Sequence, residues 1–490
     1  VAEFRIDRAR PAARMPIPPA DTDSEFAVAK AAWERGEAAR SEGMLRALAA
    51  REPAREDVST LLARVLQSDG RLDAASATMF DLCRAQGFEA GASLRAAEFI
   101  EQCHRQPLAD ELCDRALAHA PGFAPLLAVA GNIAREIGDF DKARVRYLAA
   151  LDAGVDLDAH YVLGALAHTM RYGDRRHPDF ARFEAHFRDS AFSPRARAAT
   201  GFGLAKAFDD IGDCASAAGV LREANALVRS VLPWSPPPWD AFVDMRMRQR
   251  IARPSRPSRR DFVPVFIVGL PRTGTTMTAT QLARKTPARD RGELRMLRFI
   301  ADRLIGGGHL GDAGAIAEAA ELYRAHARQD DAPATWYIDQ DPMNFRYLDL
   351  VEAMFPEARV IHCRRDRRDT ALSLWSQDFA HRDAAFAYDF AGIEHFAAGH
   401  DRLMQHWQAT LSLPIHALDY ESFVADPAAS LAALADFIGM PLADESASAA
   451  APIHSASVWQ ARQPVHAASV GRWRRYAPFV PELARLSQLA

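Results

Sequence analysis

The eight residues Gly269 to Thr276, G-L-P-R-T-G-T-T, combine one guanidinium, three hydroxyls and two bracketing glycines. That composition suits an anion. Amide N–H groups of a tight loop converge on a negative charge, and Arg272 adds a planar cation able to grip it with two parallel bonds. A second set stands at Arg364-Arg365-Asp366, with Asp369 three residues beyond Asp366 and Ser373 two turns further on. Asp366 fits a helix N-cap, and Asp369 has capping-box spacing to it. Basic pairs at strand ends are often merely solvated, so this cluster gains meaning only if it faces the loop.

The elements around these residues make that meeting plausible in physical terms. Val263, Val265, Phe266, Ile267 and Val268 form a short, β-branched, apolar run, as expected of a strand buried on both faces. Thr275, Thr276 and Met277 to Leu282 can open a helix directly after the loop. From Phe262 onward, strand-like runs (VPVFIVG, TWYID, ARVIHC, PIHALDY) alternate with helical ones, which predicts a parallel sheet covered on both faces. Ligands of such sheets bind at the carboxyl ends of the strands. The loops after Val268, Ile338, Cys363 and Leu418 are thus expected around one crevice. The G-x-x-x-x-G frame is that of the nucleotide P-loop, but Thr275 stands where the phosphate-binding Lys belongs. Its absence argues against an ATP or GTP hydrolase and against a nucleoside-phosphate kinase.

The rest of the chain is of a different kind. Residues 27–232 are Ala/Leu-rich and helical, and they repeat: Gly36, Gly70, Gln106 and Gly138 mark turns separated by 34, 36 and 32 residues. That is near the tetratricopeptide period, and it predicts helix pairs stacked into a solenoid with a surface for a protein partner. The stretch between Arg171 and Arg197 breaks the period. Residues 1–26 read as a loosely ordered arm, and 233–261, with PWSPPPW and ARPSRPSRR, as a Pro/Arg-rich linker. The catalytic region is then 262–490. With 490 residues, 49% apolar and net charge −4, nothing in the composition points to nucleic acid or a membrane surface. No apolar run approaches the ~20 residues of a membrane span. The five scattered cysteines (Cys83, Cys103, Cys113, Cys214, Cys363) fit buried thiols of a reducing compartment, and the cytoplasm is the expected location. No His/Cys/Asp ligand spacing suggests a metal.

The segment P-R-T-G-T-T after an apolar strand resembles the 5′-phosphosulfate loop of sulfotransferases, which use 3′-phosphoadenosine-5′-phosphosulfate (PAPS) and release adenosine 3′,5′-bisphosphate. The ordered motifs that follow extend the resemblance over nearly the whole chain, to bacterial tetratricopeptide-repeat sulfotransferases and, for the second half, tyrosylprotein sulfotransferases. It implies an α/β P-loop-like domain in which Pro271, Arg272, Thr273, Gly274, Thr275 and Thr276 hold the cofactor. It implies that Arg365 and Ser373 grip the 3′-phosphate, that Tyr420 in DYESF contacts the cofactor, and that Arg472 in GRW holds its phosphates. Glu293 in GEL matches the family's general base, Arg295 its substrate-side Arg, and Ser457 a Ser at the transferring sulfate.

In that resemblance Glu293 takes the proton from an acceptor hydroxyl, which a phenol with pKa of about 10 would need at neutral pH. Arg272, the loop amides and Ser457 stabilise the charge that gathers on sulfate and leaving phosphate. The acceptor is expected to be a peptide or protein tyrosine recruited by the repeats, or a small-molecule hydroxyl. The chain departs from the family pattern at Gln340, where D-K-x-P-x-N is replaced by Asp339-Gln340-Asp341-Pro342-Met343-Asn344. Arg346 is the candidate for the missing cation, since the four lysines (Lys30, Lys142, Lys206, Lys285) all lie elsewhere. An interaction scaffold whose transferase domain is catalytically impaired is the alternative.

Overall fold

A computed structural model describes residues 22–254, 261–330, 333–379, 382–442 and 467–486. Four helix pairs open the described chain. Their first helices are Thr22–Glu34, Glu56–Ser68, Ala90–Gln102 and Ala124–Ile137, and their second are Ala38–Arg51, Leu72–Ala85, Gln106–His119 and Phe140–Asp152. Both series start at a constant interval of 34 residues, from 22 to 124 and from 38 to 140. Gly36, Gly70 and Gly138 have φ of 80°, 75° and 92°, and the left-handed turn of the third pair falls on His104 (φ 58°). Gln106 is therefore not the turn position; it opens the second helix of that pair. A histidine tolerates the left-handed region well enough to hide the register from a search for glycine.

After an irregular passage around the helix Pro178–Arg188, a longer pair, Pro194–Asp210 and Cys214–Val231, completes the helical repeat region. The stretch read as a linker carries a helix, Pro236–Arg248. Its prolines lie in the first turn, where a missing N–H costs nothing. Trp239 is buried there, face to face with Phe396 at 4.3 Å between ring centroids.

The second half holds a five-stranded parallel sheet: β1 (Val263–Gly269), β2 (Arg289–Asp290), β3 (Trp336–Asp339), β4 (Arg359–Arg364) and β5 (Ile415–Asp419), in the order β2-β3-β1-β4-β5. β1 is central, and Val265 to Val268 are fully buried. Val265 and Ile267 pack with Ile338, Ile361 and the helix side chains Leu282 and Leu434. Phe266 and Val268 face the other way, into a core that continues without a break into the helical region through Trp239, Val228 and Phe208. Four of the strands stand where apolar runs place them. β2 is two polar residues long and leaves no such signature.

The helical region touches the α/β domain in two zones. In one, the amides of Asp73 and Ala74 both donate to Asp330, at 2.9 Å, and His326 meets the Ser68 carbonyl at 3.0 Å. In the other, Arg195 pairs with Asp378 at 2.8 Å, Asn225 donates to the Trp375 carbonyl at 3.0 Å, and Arg222 pairs with Glu482 at 2.8 Å. Among the described residues no helix is long and apolar enough to cross a membrane.

Candidate active site

The loop after β1 is held in an unusual backbone. Gly269 is at φ 155°, and a Cβ there would lie 2.4 Å from the Cys363 carbonyl, so this position admits only glycine. Arg272 takes a left-handed φ of 76°, a conformation rare for a non-glycine residue. Its carbonyl accepts from Arg365 at 3.1 Å, and Thr273 turns its hydroxyl back to the Leu270 carbonyl at 2.7 Å. Gly274, at φ 100°, caps the helix Thr275–Lys285 without a side chain of its own, so the first-turn amides face the loop uncapped. A Cβ at Gly274 would lie 2.8 Å from the Tyr420 ring. Gly274→Ala should therefore cost about 1–3 kcal/mol, read as a lower Tm in a thermal scan; an unchanged Tm would show that the loop relaxes around the methyl group.

The loop after β4 meets this one. The helix Arg367–Trp375 starts at Asp366, whose carboxylate accepts from the Arg368 amide at 2.8 Å. The capping box expected with Asp369 does not form. Glu421 takes the Asp366 amide at 3.0 Å, and Asp369 instead accepts from the amides of Gly471 (2.6 Å) and Trp473 (2.8 Å). Ser373 accepts from Arg272 Nε at 3.0 Å. The Arg365 guanidinium lies 4.4 Å from the centroid of the Tyr420 ring, donates to the Ser469 carbonyl at 2.7 Å, and keeps a buried Nε with no partner. Arg364 turns away to the surface and pairs with Asp419.

Three guanidiniums thus share one place. Burial, and after it the charges of Arg365 and Arg472, lower the pKa of Arg272 to about 10, against a partial offset from Glu293. Arg472 itself is anchored to Asp209 of the helical region at 2.9 Å.

Glu293 stands across from this cluster. Its flanks are fixed by the Gln340 amide on the Gly292 carbonyl (2.9 Å) and by the Leu294 amide on Asp339 (3.3 Å). Burial, helped by the charge of Asp341, raises the pKa of Glu293 to about 8, while Arg295 and Arg272 pull the other way. Arg295 is exposed, at the start of the helix Met296–Gly306. Asp339 is buried, takes the Tyr323 hydroxyl at 2.8 Å, and has its pKa raised well above normal by burial and by Asp341. Gln340 is buried between these two acids, and its Oε1 has no hydrogen-bond partner. Arg346 does not join the cluster at Arg272. Its Nε donates to the Met343 carbonyl at 3.1 Å, and its charge bears on Asp341.

Ser457 lies outside the described residues. Of the other candidates, Pro271 to Thr276, Arg365, Ser373, Tyr420 and Arg472 are drawn together by the contacts above, with Glu293, Arg295 and Gln340 on the β2–β3 side. Residues that sequence reasoning missed come from the helical region. Asp209 is one, and His168 is another: burial and the charges of Lys206, Arg135 and Arg272 lower its pKa to about 3. Their surroundings in the sequence, FDDIGD and LAHTM, carry no motif. Among the described residues no group of three or more His, Cys, Asp or Glu could hold a metal ion.

Residues 264–444 match the model of the sulfotransferase family, so the strand, the loop and the Arg365–Ser373 helix all fall inside a sulfotransferase-family domain. Over 330 residues, 61% of the chain, the sequence is 29% identical to an uncharacterized protein of Aquifex aeolicus (strain VF5), and it spans only 42% of that protein's length. Among solved structures, the sulfotransferase domain of the Synechococcus PCC 7002 olefin synthase is similar at 22% identity and a TM-score of 0.35, covering 46% of this chain and 91% of that one. The sulfotransferase STF1 of Mycobacterium tuberculosis H37Rv gives 15% identity, a TM-score of 0.26, and 66% and 98% coverage. The MamA protein gives 11% identity, a TM-score of 0.27, and 44% and 96% coverage.

Proposed function

We propose that the protein transfers a sulfuryl group from PAPS to an acceptor hydroxyl. The observation that carries this reading is the convergence of Arg272, Arg365 and Arg472 on one loop and one uncapped helix N-terminus. Like charges brought together at a part-buried place raise the energy of the protein unless an anion joins them. A nucleotide with phosphates on both the 3′ and 5′ sides of one ribose fits that demand. Arg365 and Ser373 would hold the 3′-phosphate, Arg272 and the amides of Thr273 to Thr276 the 5′ side, and Tyr420 and Arg472 the flank. When bound, PAPS supplies an activated sulfuryl group.

The chain's own residues do the rest. Glu293 accepts the proton of the acceptor hydroxyl, and the arginines and helix amides, fixed before reaction, stabilise the charge that grows on the leaving side. Arg295 lies on the acceptor side of Glu293. The acceptor is a peptide or protein tyrosine, or a small-molecule hydroxyl. The test is label transfer from PAPS carrying radioactive sulfur into a host extract, with mass spectrometry of the product. Binding of adenosine 3′,5′-bisphosphate with no transfer to any hydroxyl would favour a scaffold whose domain is impaired at Gln340.

A pH profile follows from the two shifted groups. Glu293 must lose its proton to act, and with a pKa of about 8 only about one molecule in ten has the carboxylate at pH 7. Arg272 must keep its proton, which it does up to about pH 10. The value of kcat/KM is expected to rise through pH 8, level off, and fall above about 10, since this quantity reports groups of the free enzyme. A profile already flat from pH 6 would remove Glu293 from the role of base.

A further inference from the structure

The segment Ser469–Tyr476 is held from two directions. From the α/β domain, Asp369 accepts from the amides of Gly471 and Trp473, the residues on either side of Arg472. Arg365 holds the Ser469 carbonyl, and the Arg368 guanidinium lies 4.0 Å from the centroid of the Trp473 ring. These contacts fix the backbone at Arg472 and leave its side chain undecided.

The side chain is held from the helical region. Asp209 lies in the last turn of the helix Pro194–Asp210. Its Oδ2 pairs with the Arg472 guanidinium at 2.9 Å, and its Oδ1 accepts from the Tyr476 hydroxyl at 2.7 Å. The Arg472 guanidinium also lies 5.4 Å from the centroid of the Tyr476 ring. Acids in the last turn of a helix oppose its dipole and need a cation nearby. The two here have separate ones: Asp210 pairs with Lys206 one turn earlier, at 2.7 Å, and Asp209 with Arg472, 263 residues away in the chain. The charge of Arg472, so placed, bears on Arg272.

We propose that the helical repeat region forms part of the nucleotide site, with Asp209 as the positioning residue that aims the Arg472 guanidinium at the phosphates beside Arg272. The inference rests on the reading of Arg472 as a phosphate ligand. It assigns the helices a role besides recruiting a partner: the anion site is complete only with both regions in place.

The test is calorimetric titration of the full chain and its variants with adenosine 3′,5′-bisphosphate. Asp209→Asn keeps the size and an oxygen for the Tyr476 hydroxyl, and loses the charge that holds Arg472. It should weaken binding about tenfold, as expected for loss of a charge-assisted contact. Arg472→Ala should weaken binding at least as much. The double variant should bind no worse than Arg472→Ala alone, because Asp209 acts only through Arg472. A damaged fold would not give that result. If Arg472→Ala weakens binding and Asp209→Asn does not, or if the two losses add, Asp209 is not the positioning residue and the reading of Arg472 stands. If Arg472→Ala leaves affinity intact, that reading fails and the inference falls with it.

Discussion

Glu293→Gln should lower the rate of transfer by roughly 10²–10⁴-fold, the usual cost of losing a general base, and leave nucleotide affinity at pH 7 nearly unchanged. The amide keeps the volume of the side chain, and the backbone on both sides is fixed by the Gln340 amide on Gly292 and the Leu294 amide on Asp339. At pH 7 Glu293 is largely protonated, since burial and Asp341 raise its pKa to about 8, so the neutral glutamine resembles the wild-type state. The two proteins should part as pH rises. Above pH 8 the wild-type carboxylate repels a bound nucleotide through the cluster and the glutamine does not, so the variant should bind more tightly there. Single-turnover rates and titrations at pH 7 and pH 9 check both statements. Near-normal turnover by the variant would show that another group takes the proton.

Arg272→Ala is the second large effect. Removing one preorganised donor from a charge-stabilising site typically costs ~10²–10³ in kcat, and here it also removes the contact with Ser373 at 3.0 Å. Affinity for adenosine 3′,5′-bisphosphate should fall along with the rate. Arg272→Lys should recover part of the affinity through its charge and less of the rate, because an ammonium lacks the planar fork. Unchanged affinity in Arg272→Ala would mean that Arg365 and Arg472 hold the anion without it.

Much of this site is legible in the sequence because backbone chemistry writes it there. A β-branched run, two glycines that no Cβ could replace and an Asp at a helix start identify β1, its loop and the helix after β4. Strand order was not legible beyond the expectation that sequential loops share a crevice, and β2 is too short and polar to announce itself. The repeat was visible, but its register was blurred where His104 takes a glycine's backbone conformation. Side chains that act across long sequence distances are the hardest to foresee. Asp369 has the spacing of a capping residue and serves Gly471 and Trp473 instead. Arg346 is near in sequence to the missing lysine and is engaged with Met343, while Arg472, far along the chain, supplies the charge at Arg272.

Gln340 remains the position where chemistry and composition part. It is buried between Asp339 and Asp341, and Oε1 makes no hydrogen bond. The cations near the leaving side are arginines of other loops, and they are what the proposed transfer relies on.

The most direct test is a calorimetric comparison of adenosine 3′,5′-bisphosphate, AMP and ATP with Mg²⁺ on the full chain. The expected result is binding of the bisphosphate at least about tenfold tighter than AMP, one charge-assisted contact at the 3′-phosphate being sufficient for that ratio, with ATP–Mg²⁺ no better than AMP. Equal affinity for the bisphosphate and AMP, or tighter binding of ATP–Mg²⁺, would contradict a PAPS site.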